Sequence, residues 1–429
     1  MRAPAGMSVL VLVVLAAMAG TQGQLRWLQL ETLQEGLSWL LGSPGSPDML
    51  RRSRHGASFW VAGTEKFQDR IADDVPFPCP TEGHRSPEAP SSVHRLRPGD
   101  IDVVAAMGDS LTAGNGIAGG NVMQVLIENK GMSWSIGGQA TWREFLTLPN
   151  ILKEYNPRLI GYCDHDTWSQ RKDSQFNVAE AMATSADMPR QARLLVERIV
   201  ADPSVDMLRH WKMVTIFIGA NDFCLGMCYR NVTAIPRNCK SALMKALDYL
   251  QANLPRTFVS LVATKNMEIA TRVKGRPLVC KIMGQIMCPC LVGYGFSDRQ
   301  QEFKNIMDQV QRAGFELVDS GRYNKKKDFT VVMQPFTVDS QFIEKETPHG
   351  TVTDFSYFAA DCFHFSQKSH AKSANSLWNN LLEPVGKKTT AWDKPFRTFK
   401  CPTPEQPYFY TSENSGAQNS GADTNTTEK

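Results

Sequence analysis

The 429-residue chain has no apolar run long enough to cross a bilayer. Val9 to Ala19 falls well short of the roughly 20 residues that a spanning helix requires, and nothing later in the chain reaches that length. With Arg2 before it and Gly20 and Gly23 after it, this run has the layout of a cleavable secretory signal, expected over residues 1–23. The C-terminal stretch TSENSGAQNSGADTNTTEK has no hydrophobic anchor signal either. A secreted, extracellular protein without a transmembrane anchor in this chain is the expectation. Neither sign of charge dominates: 47 Lys and Arg against 43 Asp and Glu leave +4, spread evenly, which argues against nucleic acid as a partner.

Metal-ligand spacing is also missing. Cys288-Pro-Cys290 and Cys224-Leu-Gly-Met-Cys228 are close pairs, but no His or second Cys pair stands at zinc-finger distance from either. The ten cysteines therefore suit disulfides in an oxidising compartment, with a connectivity that spacing alone leaves open. Asn231-Val-Thr and Asn425-Thr-Thr fit the same compartment as glycan acceptors.

What is present changes character near residue 98. Residues 24–97 are expected to be an N-terminal extension and linker. They hold an amphipathic stretch, LRWLQLETLQEGLSWLL, with Leu25, Leu30, Leu33, Leu37 and Leu40 near one face, then a Pro-, Ser- and Arg-rich segment. Packing on the main domain is the preferred reading of that helix over a lipid interface, and Arg51 to Arg54 is read as an exposed basic loop rather than a processing site. From 98 to 402, β-branched runs (IDVVAAM, KMVTIFIG, RTFVSLVAT, DFTVVMQPF) alternate with helical periodicities (MPRQARLLVERIV, CKSALMKALDYLQANL, RQQEFKNIMDQVQRAG). Strands apolar on both sides predict one α/β domain with a mainly parallel sheet covered on both faces, and ligand sites beyond the carboxyl ends of the strands. Residues 403–429 read as a polar, disordered tail.

The candidate chemistry lies at those strand ends. VVAAMGDSLTAGNG runs from a strand into a glycine-rich turn, and its Ser110 suits either a helix cap or a nucleophile. A nucleophilic serine needs a base and a group to orient that base. AADCFHFSQKSH supplies both on one loop, as Asp361 and His364 three residues apart. His370 is the competing histidine, placed in the following helix with a surface or packing role. FIGANDF ends another strand with Asn221, an amide suited to holding a developing oxyanion. Each piece alone has an ordinary structural use; together, at successive strand ends, they point to acyl transfer.

The blocks GDSLTAGNG, GAND and DCFH resemble those of the GDSL lipase/esterase group, the SGNH hydrolases. The similarity extends over about residues 77–410 to the repeat of the membrane-associated phospholipase B family, through GMSWSIGG, TLPNILKEYNP, SGRYNKKKDFTVVMQPF and FKCPTPEQPYFYT. This resemblance implies a three-layer flavodoxin-like fold and a serine esterase that needs no metal or other cofactor. It makes Ser110 the nucleophile, His364 the base and Asp361 its partner. It also implies glycerophospholipids or other acyl esters as substrates, with phospholipase A and lysophospholipase activity and transient contact with a membrane or micelle. Cys163 and Cys239 are additional to the family's usual cysteines, and a bond between them is the expectation.

One departure stands out. The oxyanion hole implied by the resemblance combines the Ser110 N–H, the Asn221 side chain and the N–H of a glycine in a second block, which here reads NVAEAM and ends in Met182. The backbone donor survives, but a side chain where glycine is usual can clash or strain the loop. Alternatively, Met182 folds aside and lines the acyl pocket. Ala220, where the family commonly has glycine, could crowd the same region. The competing function is therefore a catalytically weakened paralogue that binds lipid or a protein partner.

Overall fold

The computed structural model describes residues 63–392 and 394–416. The signal sequence, the leucine-rich helix, the basic loop at 51–54 and Asn425 lie outside them.

Four strands form a parallel sheet in the order β1 (Ile101–Gly108), β2 (Trp211–Phe217), β3 (Thr257–Val262) and β4 (Phe329–Gln334). Register runs through Ala105 opposite Val214, Val214 opposite Val259 and Val259 opposite Val331. Beyond β1, parallel bridges from Val103 to Ile160 and from Ala106 to Asn177 extend the sheet by two short segments.

The strands are apolar on both sides because both are covered, as the sequence pattern requires. Successive side chains of a strand alternate between faces. Val103, Ala105 and Met107 of β1 accordingly belong to the core layer that α3 (Met188–Ala201), α4 (Ile235–Asn253) and α7 (Gln300–Asp319) build on one face of the sheet. Val104 and Ala106 face α2 (Leu148–Tyr155) and α8 (Gln367–Leu381). Thr147 caps α2, accepting from the Asn150 N–H at 3.2 Å, and Pro149 suits its first turn. Trp378 of α8 stacks on Tyr155 of α2 at 5.6 Å. The result is the three-layer α/β/α architecture expected of the sequence.

A disulfide-rich lobe sits over the C-terminal edge of the sheet. It comprises α5 (Leu278–Met287), α6 (Pro289–Val292) and the turns after β2, with an outlying hairpin of β5 (Glu344–Thr347) and β6 (Gly350–Thr353). Cys224–Cys288 and Cys228–Cys290 tie the segment after β2 to α6, and Cys280–Cys362 ties α5 to the loop before α8.

Three sequence expectations meet a different arrangement. Residues 63–97 hold little regular structure, as their composition suggests, yet they are fastened to the domain. Phe77 packs edge-on to Trp142, Tyr155 and Phe399, and Cys79 bonds Cys401. The polar tail likewise keeps its first residues docked: Phe409 is buried and its N–H donates to the Leu96 carbonyl at 2.8 Å. Cys163 and Cys239 are not bonded to each other; both are free, buried thiols. Cys163 lies against the His165 and Asp173 carbonyls, whereas Cys239, near the start of α4, lies beside Ser185 and Asp222. Burial pushes these thiols up to about 11 and about 12.

Candidate active site

The turn after β1 is shaped by two glycines. A side chain on Gly108 would run into the Phe217 carbonyl and Thr112. Gln191 of α3 clasps the Gly108 peptide, accepting from its N–H and donating to its carbonyl, both at 2.9 Å. The Asp109 side chain then accepts from the Leu111 N–H at 3.0 Å and caps the one-turn helix α1 (Ser110–Ala113). Gly114, at φ +87°, ends that helix in the left-handed conformation. The cap is therefore Asp109, and the Ser110 hydroxyl is left for another partner.

That partner is His364. Its Nε2 stands 2.8 Å from Ser110 Oγ and its Nδ1 stands 2.6 Å from Asp361 Oδ2. With Nδ1–H donating to the carboxylate, Nε2 is an acceptor for the serine hydroxyl. All three side chains are buried. Burial alone would push the Asp361 carboxyl up, but the His364 ring and the N–H groups of Phe363 and His364 hold it below its ordinary value. The loop is closed by the Ala359 N–H donating to the His364 carbonyl at 2.8 Å. His370, the other histidine considered, is fully buried in α8. Its Nδ1 accepts from the Trp134 N–H at 3.1 Å, and burial pushes its ring down to about 3, so it packs as a neutral acceptor.

Three candidate oxyanion donors converge on the same end of the sheet. The Ser110 N–H belongs to the first turn of α1, where no intrahelical acceptor exists. Asn221, buried just after β2, donates one amide N–H to the Ala183 carbonyl at 2.9 Å; the amide has a second N–H to offer. Met182 stands at φ +62°, the left-handed conformation usual for glycine, and its side chain is 44% exposed. Its side chain points away from the interior.

The loop carrying Met182 is pinned by contacts that no motif announces. Asn177 donates to the Thr112 carbonyl at 3.1 Å. Lys130, fully buried, donates to the Ala179 carbonyl at 3.2 Å and stands 3.2 Å from Glu128. Arg190 of α3 holds Glu180. Asp109 is more than a motif residue: among the described residues its Oδ2 has no hydrogen-bond partner, and burial pushes the carboxyl up to about 7. No sequence signal sets these groups apart: Lys130 and Arg190 stand among other polar and charged residues, as surface residues do.

Beside Ser110 lies an apolar cavity of about 1020 Å³, its open mouth included, lined by residues such as Leu111, Phe217, Ile218, Met267, Phe355 and Phe363. Leu111 and Phe363 adjoin Ser110 and His364 in sequence, so the cavity abuts the reactive groups. Ala220 lines it as well. Asn231 is exposed, with its Oδ1 accepting from the Thr233 hydroxyl at 2.7 Å. Among the described residues no group of three or more His, Cys, Asp or Glu could hold a metal ion, and no helix is long and apolar enough to cross a membrane.

Comparison with known proteins bears on this arrangement. Membrane-associated phospholipase B1 of Homo sapiens is 40% identical over 342 residues, 79% of this chain and 23% of that protein. The proteins of the same name from Rattus norvegicus and Mus musculus are 39% and 38% identical over 341 residues, 79% of this chain in each case and 23% and 22% of those proteins. The chain thus spans about a quarter of the length of these relatives. The model of the GDSL-like lipase/acylhydrolase family matches residues 104–377, from within β1 to within α8, a span that contains every group in the hydrogen-bonded line from Ser110 to Asp361. By that match, and by the likeness of the whole domain to the phospholipases B1, this chain belongs to the GDSL-like lipase/acylhydrolase family.

Proposed function

We propose that the protein is a secreted serine acyl ester hydrolase acting on glycerophospholipids and lysophospholipids. The observation that carries this reading is the unbroken line Ser110–His364–Asp361 set against an apolar cavity. His364 Nε2 takes the Ser110 proton as Oγ attacks the ester carbonyl. The Ser110 N–H, the Met182 N–H and the free N–H of Asn221 hold the negative charge that develops on the carbonyl oxygen. Protonated His364, paired with Asp361, returns the proton to the leaving alcohol and leaves an acyl group on Ser110. Water, activated by the same nitrogen, then releases the fatty acid.

The cavity suits an acyl chain, which apolar walls bind without strict preference. Retinyl esters and triacylglycerols are thus rival substrates, and the phospholipase name of the relatives favours phospholipid. Four disulfides support an oxidising, extracellular destination, with a glycan on Asn231. The second reading, a weakened paralogue that binds lipid, rests on the left-handed backbone of Met182.

Hydrolysis of phosphatidylcholine and lysophosphatidylcholine by the purified protein tests both. Activity that falls by about 1000-fold or more in Ser110→Ala is the expected result. A parent without activity that gains it on Met182→Gly would favour the paralogue.

A further inference from the structure

Helix α5 is covered on one side only. Cys280 and Met283 are buried, and Cys280 and Gly284 line the cavity. Leu278, Val279 and Ile282 share the opposite side and are 74%, 43% and 50% exposed. Lys281 is the one charged residue in the helix. A helix apolar all round is normally buried all round, so the outer side of α5 lacks a partner.

The surrounding charge indicates which partner. Residues 269–297 carry Arg272, Lys274, Arg276 and Lys281 and no Asp or Glu. Arg272 is occupied by Glu268 at 2.8 Å and Lys274 by Glu344 at 2.9 Å. Arg276 and Lys281 have no carboxylate partner among the described residues; Arg276 lines the cavity and donates only to the Ala270 carbonyl. Aliphatic side chains interleaved with uncompensated cations are the composition that enters a phospholipid interface, chains below and phosphates above. A second protein is a poorer fit. Three side chains present a patch of a few hundred Å² at most, against the roughly 800 Å² that each partner buries in a stable interface.

We propose that the outer side of α5 docks on a phospholipid layer. Leu278, Val279 and Ile282 enter the boundary between headgroups and acyl chains, Lys281 and Arg276 meet lipid phosphates, and the cavity behind α5 is held against the layer that supplies its substrate. This deepens the phospholipid-esterase reading and rests on it for the identity of the layer. The docking itself is measured without turnover.

The full chain carrying Ser110→Ala is sedimented with vesicles of phosphatidylcholine containing a minor share of phosphatidylserine. Binding is expected, and adding Leu278→Asp with Ile282→Asp should weaken it about tenfold or more. Neither residue lines the cavity, so with Ser110 restored the double variant should hydrolyse a dissolved short-chain ester within about twofold of the parent. Should the double variant fold poorly, Ile282→Trp serves instead, its emission moving to the blue when vesicles are added. Undiminished vesicle binding by the double variant, or an unmoved Ile282→Trp emission, would overturn the proposal. So would a dimeric parent that the double variant turns into a monomer, because the patch would then be a contact between copies. A parent that docks through α5 but cleaves no ester defeats the esterase reading and leaves docking standing. One that cleaves dissolved ester but ignores vesicles does the reverse.

Discussion

Cys362 stands between Asp361 and His364 and is disulfide-bonded to Cys280 of α5, so the loop that orients the imidazole is tied to the lobe that walls the cavity. Cys362 also holds a left-handed φ of +59°, a conformation costly for any residue but glycine. The bond keeps the loop in that conformation while the residues on either side of it work on the imidazole.

Replacing the pair by Cys280→Ser with Cys362→Ser should therefore act on positioning. Loosening a catalytic loop by a fraction of an ångström costs about 10- to 100-fold in kcat. KM for a dissolved ester should change little, because the apolar walls remain. Losing a disulfide that closes a long loop removes about 2–4 kcal/mol, which should lower Tm by roughly 3–5 °C in a domain of this size. Steady-state kinetics beside a thermal melt separates the effects; a lowered Tm with unchanged kcat would make the bond a staple only.

Asn221 has two tasks, and they predict a particular pattern. One N–H of its amide holds the Ala183 carbonyl, next to Met182, and the other is the one that the proposed mechanism turns toward the developing charge. Asn221→Ala should lower kcat by about 100- to 1000-fold. Asn221→Asp should be at least as damaging, because it replaces the donor by an acceptor and sets the loop against a carbonyl oxygen. Similar activity in the Asp variant and the parent would remove Asn221 from the oxyanion hole.

Met182 invites the opposite expectation. Its N–H is kept by any residue but proline, and its side chain faces outward. Met182→Gly relieves a left-handed conformation worth about 1–2 kcal/mol but adds chain entropy to the unfolded state. A net gain in stability of no more than about 1 kcal/mol should result, with kcat/KM within about threefold of the parent. A rise of about 100-fold would mean that methionine had spoiled the hole.

The layers of the fold and the Asp361–His364 half of the reactive line were legible in the sequence for a shared reason, that both depend on short-range pattern, whereas Ser110, 254 residues before His364, was joined to them only by the resemblance of its block. Four β-branched runs separated by helical periodicities specify a covered parallel sheet, and Asp361 and His364 are close because one short loop carries both. Contacts that join distant segments left no such trace. Nothing around Cys362 points to Cys280, 82 residues earlier, and nothing in the Pro- and Ser-rich stretch marks Phe77 as the ring that docks among Trp142, Tyr155 and Phe399. The buried Lys130 that supports the Met182 loop reads in sequence as an ordinary surface cation.

Asp109 offers a test in which pH supplies the variable. Its carboxyl is pushed up to about 7, first by burial, with the Leu111 N–H and His364 pulling the other way and Asp222 adding to the rise. In the unfolded chain it titrates near the ordinary aspartate value of about 3.9. Between these values the folded protein holds a proton that the unfolded chain has released. The contribution of this proton to stability is therefore complete at acid pH, shrinks as pH rises through that window and is gone above about 7. A gap of about three units corresponds to about 4 kcal/mol. An asparagine at this position would still cap α1 through its side-chain oxygen but has no proton to lose. Asp109→Asn should thus melt near the parent at about pH 4 and several degrees above it at about pH 8, the difference opening across the window. Melting curves that stay parallel at every pH would mean that Asp109 does not titrate there, and that its unpartnered oxygen is satisfied while charged.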